Sequence, residues 1–274
     1  MNETTLELVM PAGHTLFARR VGEGSPVLLL HGFPLDSRIW QNQWSTLAQQ
    51  GYDVVVPDLP GFGHSTSMLG TDISLDDWAE DLETLRRFCF GDQSIAMVGL
   101  SMGGYVALAY WKRWAQHLHQ LVLTNTKPSV DAPAAQQARW NMAEQVQNST
   151  TWEAVAPMLP RLVCAHTREQ SESTVHWLQS MMAAVAPGTI ATAQRAMARR
   201  EDFTERLAKI GVPTLVVTGD QDPLSTPPEN QQWSQRLTRG QFHIIPQAGH
   251  LPMLENPDSF NQVLVHFLNQ HPSH

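Results

Sequence analysis

Residues 95–104 read Ile95-Ala96-Met97-Val98-Gly99-Leu100-Ser101-Met102-Gly103-Gly104. The opening apolar run has no polar alternation, which is typical of a strand buried on both faces of a parallel sheet. The residues that follow are compatible with a helix, so Ser101 lies in a Gly-x-Ser-x-Gly sequence between a strand and a helix. On so tight a turn a serine adopts a strained backbone and its hydroxyl is exposed above the sheet. The alternative is a glycine-rich turn in which the serine has no role.

Strands and helices alternate on either side of this turn. Two short alternating runs predict an antiparallel hairpin, Thr5 to Met10 and Thr15 to Val21. Apolar runs predict buried strands at Val27 to Leu30, Tyr52 to Val56, Leu121 to Leu123, Pro213 to Thr218 and Gln241 to Ile245. Helices are predicted at Trp40 to Gln50, Leu75 to Phe90, Tyr105 to Trp114, Pro227 to Leu237 and Pro257 to Leu268. This order predicts an α/β fold with a mostly parallel central sheet and helices on both faces.

The alternation stops between residues 128 and 208. Ala, Gln, Met, Trp and Arg dominate this segment, prolines recur in it, and it contains no β-branched run. We therefore expect a helical cap at residues 128–208, inserted into a core that consists of residues 1–127 and 209–274.

The composition argues against several classes of function. Eighteen Lys and Arg residues stand against 26 Asp and Glu residues, a formal net charge of −8 with neutral histidine. Because phosphate backbones are bound by clustered cations, we expect no nucleic-acid partner. No apolar run approaches the roughly 18 residues of a membrane span, and no export signal is visible at the amino terminus. Cys89 and Cys164 are too few for a disulfide framework, so we expect a cytoplasmic protein with no membrane partner.

A serine nucleophile needs a histidine to take its proton and an acid to orient that histidine. In a sheet of this kind both are expected after later strands, in the order serine, acid, histidine. His250 follows the strand Gln241 to Ile245, and Asp220 and Asp222 share the loop after the preceding strand. We predict Ser101, Asp222 and His250 as the catalytic residues, and the alternative acid, Asp220, is the type of residue that stabilises a turn through backbone amides.

Of the twelve histidines, His31 also follows a core strand. Its place before Gly32-Phe33-Pro34 indicates a structural role, because this loop is expected to supply a backbone N–H to an oxyanion hole. We predict the amides of Phe33 and Met102 as that oxyanion hole, since Met102 also begins a helix whose dipole favours negative charge.

Five motifs together carry a family resemblance. They are His31-Gly32-Phe33-Pro34, Asp58-Leu59-Pro60-Gly61-Phe62-Gly63-His64-Ser65, Gly99-Leu100-Ser101-Met102-Gly103, Gly219 to Pro223, and Gly249-His250-Leu251-Pro252. The chain resembles the α/β-hydrolase superfamily over nearly its whole length, with all parts in family order. Within it the chain is most similar to bacterial carboxylesterases and 3-oxoadipate enol-lactonases.

The resemblance implies a serine carboxylester hydrolase that works through an acyl-enzyme. We expect it to act on short-chain acyl or aryl esters, because Trp177, Met181 and Met182 fit an adaptable apolar surface on the underside of the cap. Similar haloalkane dehalogenases and epoxide hydrolases need a carboxylate where this chain has Ser101. A lactonase that uses the same residues on a cyclic ester is the enzymatic alternative, and a hydrolase-like ligand receptor is the alternative of another class. We expect a small-molecule ester or lactone as partner, and no cofactor or metal, because no set of side chains has ligand spacing.

Substrate contacts are expected from the loop after His31 and from the first cap helix. The candidates are Leu35, Trp40, Arg139, Trp140 and Met142. Core packing is the favoured alternative for Trp40 and Met142. Arg139 attracts a substrate carboxylate if it faces the pocket, and has no such role if it faces solvent. An apolar underside of the cap fits Trp177, Met181 and Met182.

Overall fold

The computed structural model describes residues 3–68 and 73–271, and its centre is one eight-stranded sheet. The strands are β1 Glu3–Val9, β2 Thr15–Val21, β3 Ser25–Leu30, β4 Tyr52–Pro57, β5 Ile95–Leu100, β6 Leu118–Thr124, β7 Thr214–Gly219 and β8 Gly240–Ile245. Their order across the sheet is β1-β2-β4-β3-β5-β6-β7-β8. The predicted amino-terminal hairpin is present as β1 and β2, which pair antiparallel.

From β4 to β8 the sheet is parallel, as the apolar runs predict. Val98 in β5 pairs with Leu29 in β3 on one side and with Val122 in β6 on the other. Every residue of β4, β5 and β7 is buried. Because parallel strands all point the same way, their carboxyl ends lie along one edge of the sheet. The loops after β3, β5, β6, β7 and β8 therefore meet at that edge.

Helices cover the sheet and fill the segment between β6 and β7. They are α1 Gln41–Gln49, α2 Leu75–Phe90, α3 Met102–Trp114, α4 Pro133–Gln145, α5 Thr151–Val155, α6 Leu159–Leu162, α7 Ala165–Gln170, α8 Glu172–Ala183, α9 Pro187–Ala198, α10 Pro227–Ser234, α11 Pro252–Glu255 and α12 Pro257–Gln270. Helix α2 packs on α3, and α1 packs on α12. The described residues between β6 and β7 form no strand, in agreement with the predicted helical character of this segment.

Two helix ends differ from the prediction by three residues. Helix α3 starts at Met102, because Ser101 is its N-cap and Gly103 and Gly104 continue the helix into the turn. Helix α10 ends at Ser234, and Gln235 to Leu237 close it through single-turn hydrogen bonds such as Leu237 N to Ser234 O at 3.1 Å. The apolar pattern does not show that the poor helix formers Gly103 and Gly104 belong to α3, nor where the last turn of α10 frays.

Trp40 joins the first part of the chain to its last helix. Its side chain is fully buried, and its ring lies 6.0 Å from that of Phe260 in α12. Of the two roles open to Trp40, the structure shows core packing. In the described part of the chain, no helix is both long and apolar enough to cross a membrane.

Gly103 occupies a position where the backbone of α3 meets the end of β3. A Cβ atom there lies 2.5 Å from the carbonyl oxygen of Leu30 and 2.7 Å from that of His31. We expect Gly103→Ala to lower the free energy of unfolding by about 3 kcal/mol, because backbone atoms cannot move aside as a side chain can. Gly188 is the control, since it also stands second in a helix and a Cβ there meets nothing within 4 Å.

Urea unfolding followed by circular dichroism measures both variants. Gly188→Ala is expected to be neutral or to gain up to about 1 kcal/mol from helix propensity. Equal stabilities for the two variants contradict the packing argument.

Candidate active site

Ser101 has the strained backbone that the Gly-x-Ser-x-Gly turn predicts. Its φ and ψ are 53° and −113°, a left-handed conformation that non-glycine residues rarely adopt. Its N–H donates to Thr124 O at 2.9 Å, and its carbonyl oxygen accepts from the Thr126 hydroxyl at 2.8 Å. The end of β6 therefore holds the turn in place, and the half-buried Ser101 side chain lies at the carboxyl edge of the sheet.

Asp222 and His250 are joined by a buried hydrogen bond. His250 Nδ1 lies 2.9 Å from Asp222 Oδ2, and the two residues are 4% and 3% exposed. Asp222 Oδ1 accepts from the Leu224 N–H at 2.8 Å. Burial by itself raises the pKa of Asp222, but attraction to His250 and hydrogen bonds from His250, Asn125 and Leu224 hold that pKa below its ordinary value. Asp222 is thus held as a carboxylate that fixes the imidazole tautomer.

The second aspartate of the loop makes a different contact. Asp220 Oδ1 accepts from the backbone N–H of Ala248 at 3.0 Å, which ties the loop after β7 to the loop after β8. This bond to a backbone amide is of the turn-stabilising kind that the sequence analysis expects of Asp220.

Asn125 is a site residue that the sequence reasoning missed. Its Nδ2 donates to Asp222 Oδ2 at 2.6 Å, and its backbone N–H donates to Val217 O at 2.9 Å. The residue is fully buried with φ of 45°, a left-handed conformation that asparagine tolerates better than most residues. An asparagine directly after a buried strand, next to the serine strand, was the available signal.

His31 makes structural contacts in a fully buried position. Its Nε2 accepts from the Leu59 N–H at 2.9 Å, and its Nδ1 lies 3.0 Å from the carbonyl oxygen of Gly32. This pattern places the proton on Nδ1 and leaves a neutral ring, and burial lowers the pKa of His31 accordingly. His31 therefore fixes the loop of Phe33 against the loop after β4.

A cavity of about 430 Å³ opens at this edge of the sheet. Ser101, His250, Asn125 and Phe33 line it from the sheet side. The helical segment contributes Arg139, Met142, Met158, Arg161, Leu162 and Met197. The cavity thus joins the predicted nucleophile and base to a wall of mixed character, in which apolar side chains stand beside Arg139, Arg161, Asp131 and Gln194.

Two of the predicted substrate contacts lie elsewhere. Leu35 is 1% exposed in the hydrophobic core. Trp140 packs its ring 5.8 Å from the guanidinium of Arg199. Neither is among the described residues that line the cavity, because Leu35 points into the core and Trp140 stands one position past Arg139 on α4.

In α8, Met181 and Met182 are buried, and Trp177 is partly buried. Met181 Sδ accepts from the Asp36 N–H at 3.4 Å, so α8 rests on the loop after β3. None of the three side chains is among the described residues that line the cavity.

Comparison with known proteins identifies the family of this fold. A sequence profile described as the alpha/beta hydrolase fold matches residues 25–257. The chain belongs to this hydrolase family.

Among its relatives is a thermophilic esterase from Thermogutta terrifontis. That structure has a TM-score of 0.93 and 34% sequence identity, and the match covers 98% of this chain and 100% of that one. The 3-oxoadipate enol-lactonase 1 of Acinetobacter baylyi is 28% identical, with 93% of this chain and 94% of the relative covered. The pimeloyl-[acyl-carrier protein] methyl ester esterase of Nitrosospira multiformis is 24% identical, with 92% and 98% covered. The alpha/beta hydrolase family thus includes similar esterases and an enol-lactonase.

Arg139 lies at the cavity of this alpha/beta hydrolase but is ion-paired. Its Nε donates to Asp131 Oδ2 at 2.5 Å, and Arg200 donates to both oxygens of the same carboxylate at 2.6 and 2.8 Å. Burial works against the charge on Asp131, but hydrogen bonds from Arg200 and Arg139 lower its pKa to about 2. Two guanidiniums share one carboxylate, so the group keeps one positive charge.

Asp131→Asn tests this network. The Arg200 side chain is 3% exposed, and removing its counterion leaves a buried, uncompensated charge. We expect the free energy of unfolding at pH 7 to fall by about 3 kcal/mol. Because the folded-state pKa of Asp131 is below its unfolded value, the stabilisation is complete above about pH 4 and is lost as the pH falls toward 2.

Urea unfolding at pH 7 and at pH 3 measures the difference in free energy of unfolding between wild type and Asp131→Asn. Asp92→Asn is the control, since Asp92 is exposed and makes no ion pair with any described residue. A gap that stays constant with pH, or an equal loss in the control, contradicts the assignment.

Proposed function

We propose that this alpha/beta hydrolase is a serine carboxylesterase that cleaves short-chain acyl or aryl esters through an acyl-enzyme. The observation that carries the proposal is the strained Ser101 turn in the same cavity as His250, whose ring is bonded to Asp222 at 2.9 Å. A strained serine beside an oriented histidine has the arrangement that acyl transfer requires.

The reaction starts when Ser101 Oγ attacks the acyl carbon of the ester. His250 takes the serine proton on Nε2, because its Nδ1 is directed at Asp222. The carbonyl oxygen becomes an oxyanion, which the backbone N–H groups of Phe33 and Met102 stabilise. His250 then returns the proton to the alcohol as the C–O bond breaks.

Water completes the cycle. His250 takes a proton from the water as its oxygen attacks the acyl carbon, and Ser101 leaves with that proton. Asp222 stays ionised throughout and stabilises the imidazolium, which agrees with the lowered pKa of its carboxyl group.

The helical segment supports the substrate class. Residues 128–208 form a cap that contributes methionines and a leucine to the cavity. Methionine side chains adapt to different small acyl groups. A cavity of about 430 Å³ is large enough for a short acyl or aryl ester.

A lactonase is the second candidate. Arg139 lies at the cavity, and its network with Asp131 and Arg200 keeps a net positive charge that favours an acidic lactone. The same three catalytic residues open a cyclic ester, and the ring-opened product leaves as a single molecule.

Steady-state hydrolysis of p-nitrophenyl acetate, butyrate and octanoate, beside 3-oxoadipate enol-lactone, separates the candidates. We expect fast turnover of acetate and butyrate, slower turnover of octanoate, and a fall in kcat of about 10⁴-fold in Ser101→Ala. Ser173→Ala is the control, because Ser173 is an exposed serine on α8.

Efficient turnover of the enol-lactone alone favours the lactonase. Stoichiometric binding without recycling favours a hydrolase-like receptor. Activity that survives in Ser101→Ala refutes the mechanism.

The two aspartates of the loop after β7 are separated by a matched pair of variants. We expect Asp222→Asn to lower kcat by about 10²–10⁴-fold, because the amide neither fixes the tautomer of His250 nor stabilises its imidazolium form. Asp220→Asn is expected to keep kcat within about threefold and to lower stability by about 1 kcal/mol, since it weakens one hydrogen bond to Ala248 N. The reverse order of effects on kcat assigns the acid to Asp220.

A further inference from the structure

The loop that carries His250 is fastened to the helical segment through its backbone. The His250 N–H donates to Leu162 O at 3.0 Å. Gly249 packs closely there, because a Cβ atom on it lies 2.8 Å from Cys164 N. The position of His250 thus depends on residues 162–164 as well as on Asp222.

Glu255 provides the link between the two segments. Its Oε1 accepts from Gly249 N at 2.7 Å and from Leu251 N at 3.4 Å, the two neighbours of His250 in the chain. Its Oε2 accepts from Cys164 N at 2.6 Å and from the Thr167 hydroxyl at 2.8 Å. A single carboxylate therefore joins the histidine loop, residues 246–251, to the start of α7.

We propose that Glu255 is a positioning residue that holds His250 in register with Ser101 by bridging the histidine loop to residues 164–167. The inference rests on the proposed ester hydrolysis. Asp222 fixes the rotation of the imidazole ring from its Nδ1 side, whereas Glu255 fixes the backbone that carries the ring. The two acids act on different degrees of freedom of the same histidine.

The chemistry of the bridge requires a carboxylate. All four of its partners are N–H or O–H donors, so both oxygens must accept. A glutamine of the same shape turns an NH₂ group toward one set of donors and loses that half of the bridge. A displacement of the base by about 1 Å lowers the rate of a positioned reaction by about 10²-fold.

The test compares Glu255→Gln with wild type in p-nitrophenyl acetate hydrolysis and in labelling of Ser101 by a fluorophosphonate, which also needs the histidine base. We expect kcat and the labelling rate to fall at least about 10-fold, with KM within about twofold and the melting temperature well above the assay temperature. A merely structural role lowers the melting temperature and leaves kcat of the folded enzyme unchanged.

Thr167→Val is the second variant, because it removes the hydroxyl bond to Glu255, together with the 3.4 Å contact of that hydroxyl to Cys164 Sγ, and leaves the carboxylate in place. It is expected to lower kcat by about threefold or more in the same direction, and it decides the question if Glu255→Gln does not fold. Glu169→Gln is the control. Glu169 is exposed on α7, the helix that also carries Thr167, and the Glu169 side chain bonds to no described residue.

Unchanged kcat and labelling in folded Glu255→Gln, or in Thr167→Val where the first variant does not fold, overturn the positioning role. The wild-type enzyme decides the proposed function separately. If it neither hydrolyses the ester nor labels at Ser101, the esterase proposal fails, and the role of Glu255 in that reaction fails with it.

Discussion

The left-handed backbone of Ser101 is the constraint on which the rest of the site depends. The turn from β5 into α3 closes only because glycine stands at positions 99 and 103, where a Cβ atom lies within 2.5 Å of a backbone oxygen. The bonds of Ser101 to Thr124 and Thr126 hold the strained residue against relaxation. The strain at Ser101 is thus balanced by the packing of β3, β5 and β6 around the turn.

The parallel sheet converts this local turn into a site. Because β5, β6, β7 and β8 are neighbours in that order, their carboxyl ends place Ser101, Asn125, Asp222 and His250 side by side, although they are far apart in the chain. The loops are cross-linked in pairs, with Asn125 bonded to Asp222 and Asp220 bonded to Ala248. Each loop is therefore held by its neighbours, which gives a preorganised polar cluster on a rigid scaffold.

The sequence predicted the sheet, its order of strand and helix, and the positions of Ser101, Asp222 and His250, because each of these is encoded by a local pattern at a strand end. Asn125 and Glu255 were not predicted, since their roles depend on where a side chain points across a loop from another part of the chain. The same limit applies to Arg139. Its partner Asp131 is nearby in the sequence, but Arg200, which binds the same carboxylate, comes from beyond α9. Leu35 was misplaced because an apolar residue after a strand fits a pocket wall and a core equally well.

Strands β6 and β7 are adjacent in the sheet, with Leu121 paired to Thr214, although the whole helical segment lies between them in the chain. The entropy of closing such a loop grows only with the logarithm of its length, by about 0.6 kcal/mol for each doubling. Helices can therefore be added or removed there with almost no effect on the pairing of the two strands. Restrictions come from the contacts of this segment to the core, such as those of Leu162, Cys164 and Thr167 to the loop of His250 and that of Met181 to Asp36 N. A change of length in this region is thus compatible with the pairing of β6 and β7 as long as the contacts to the loop of His250 and to the loop after β3 are kept.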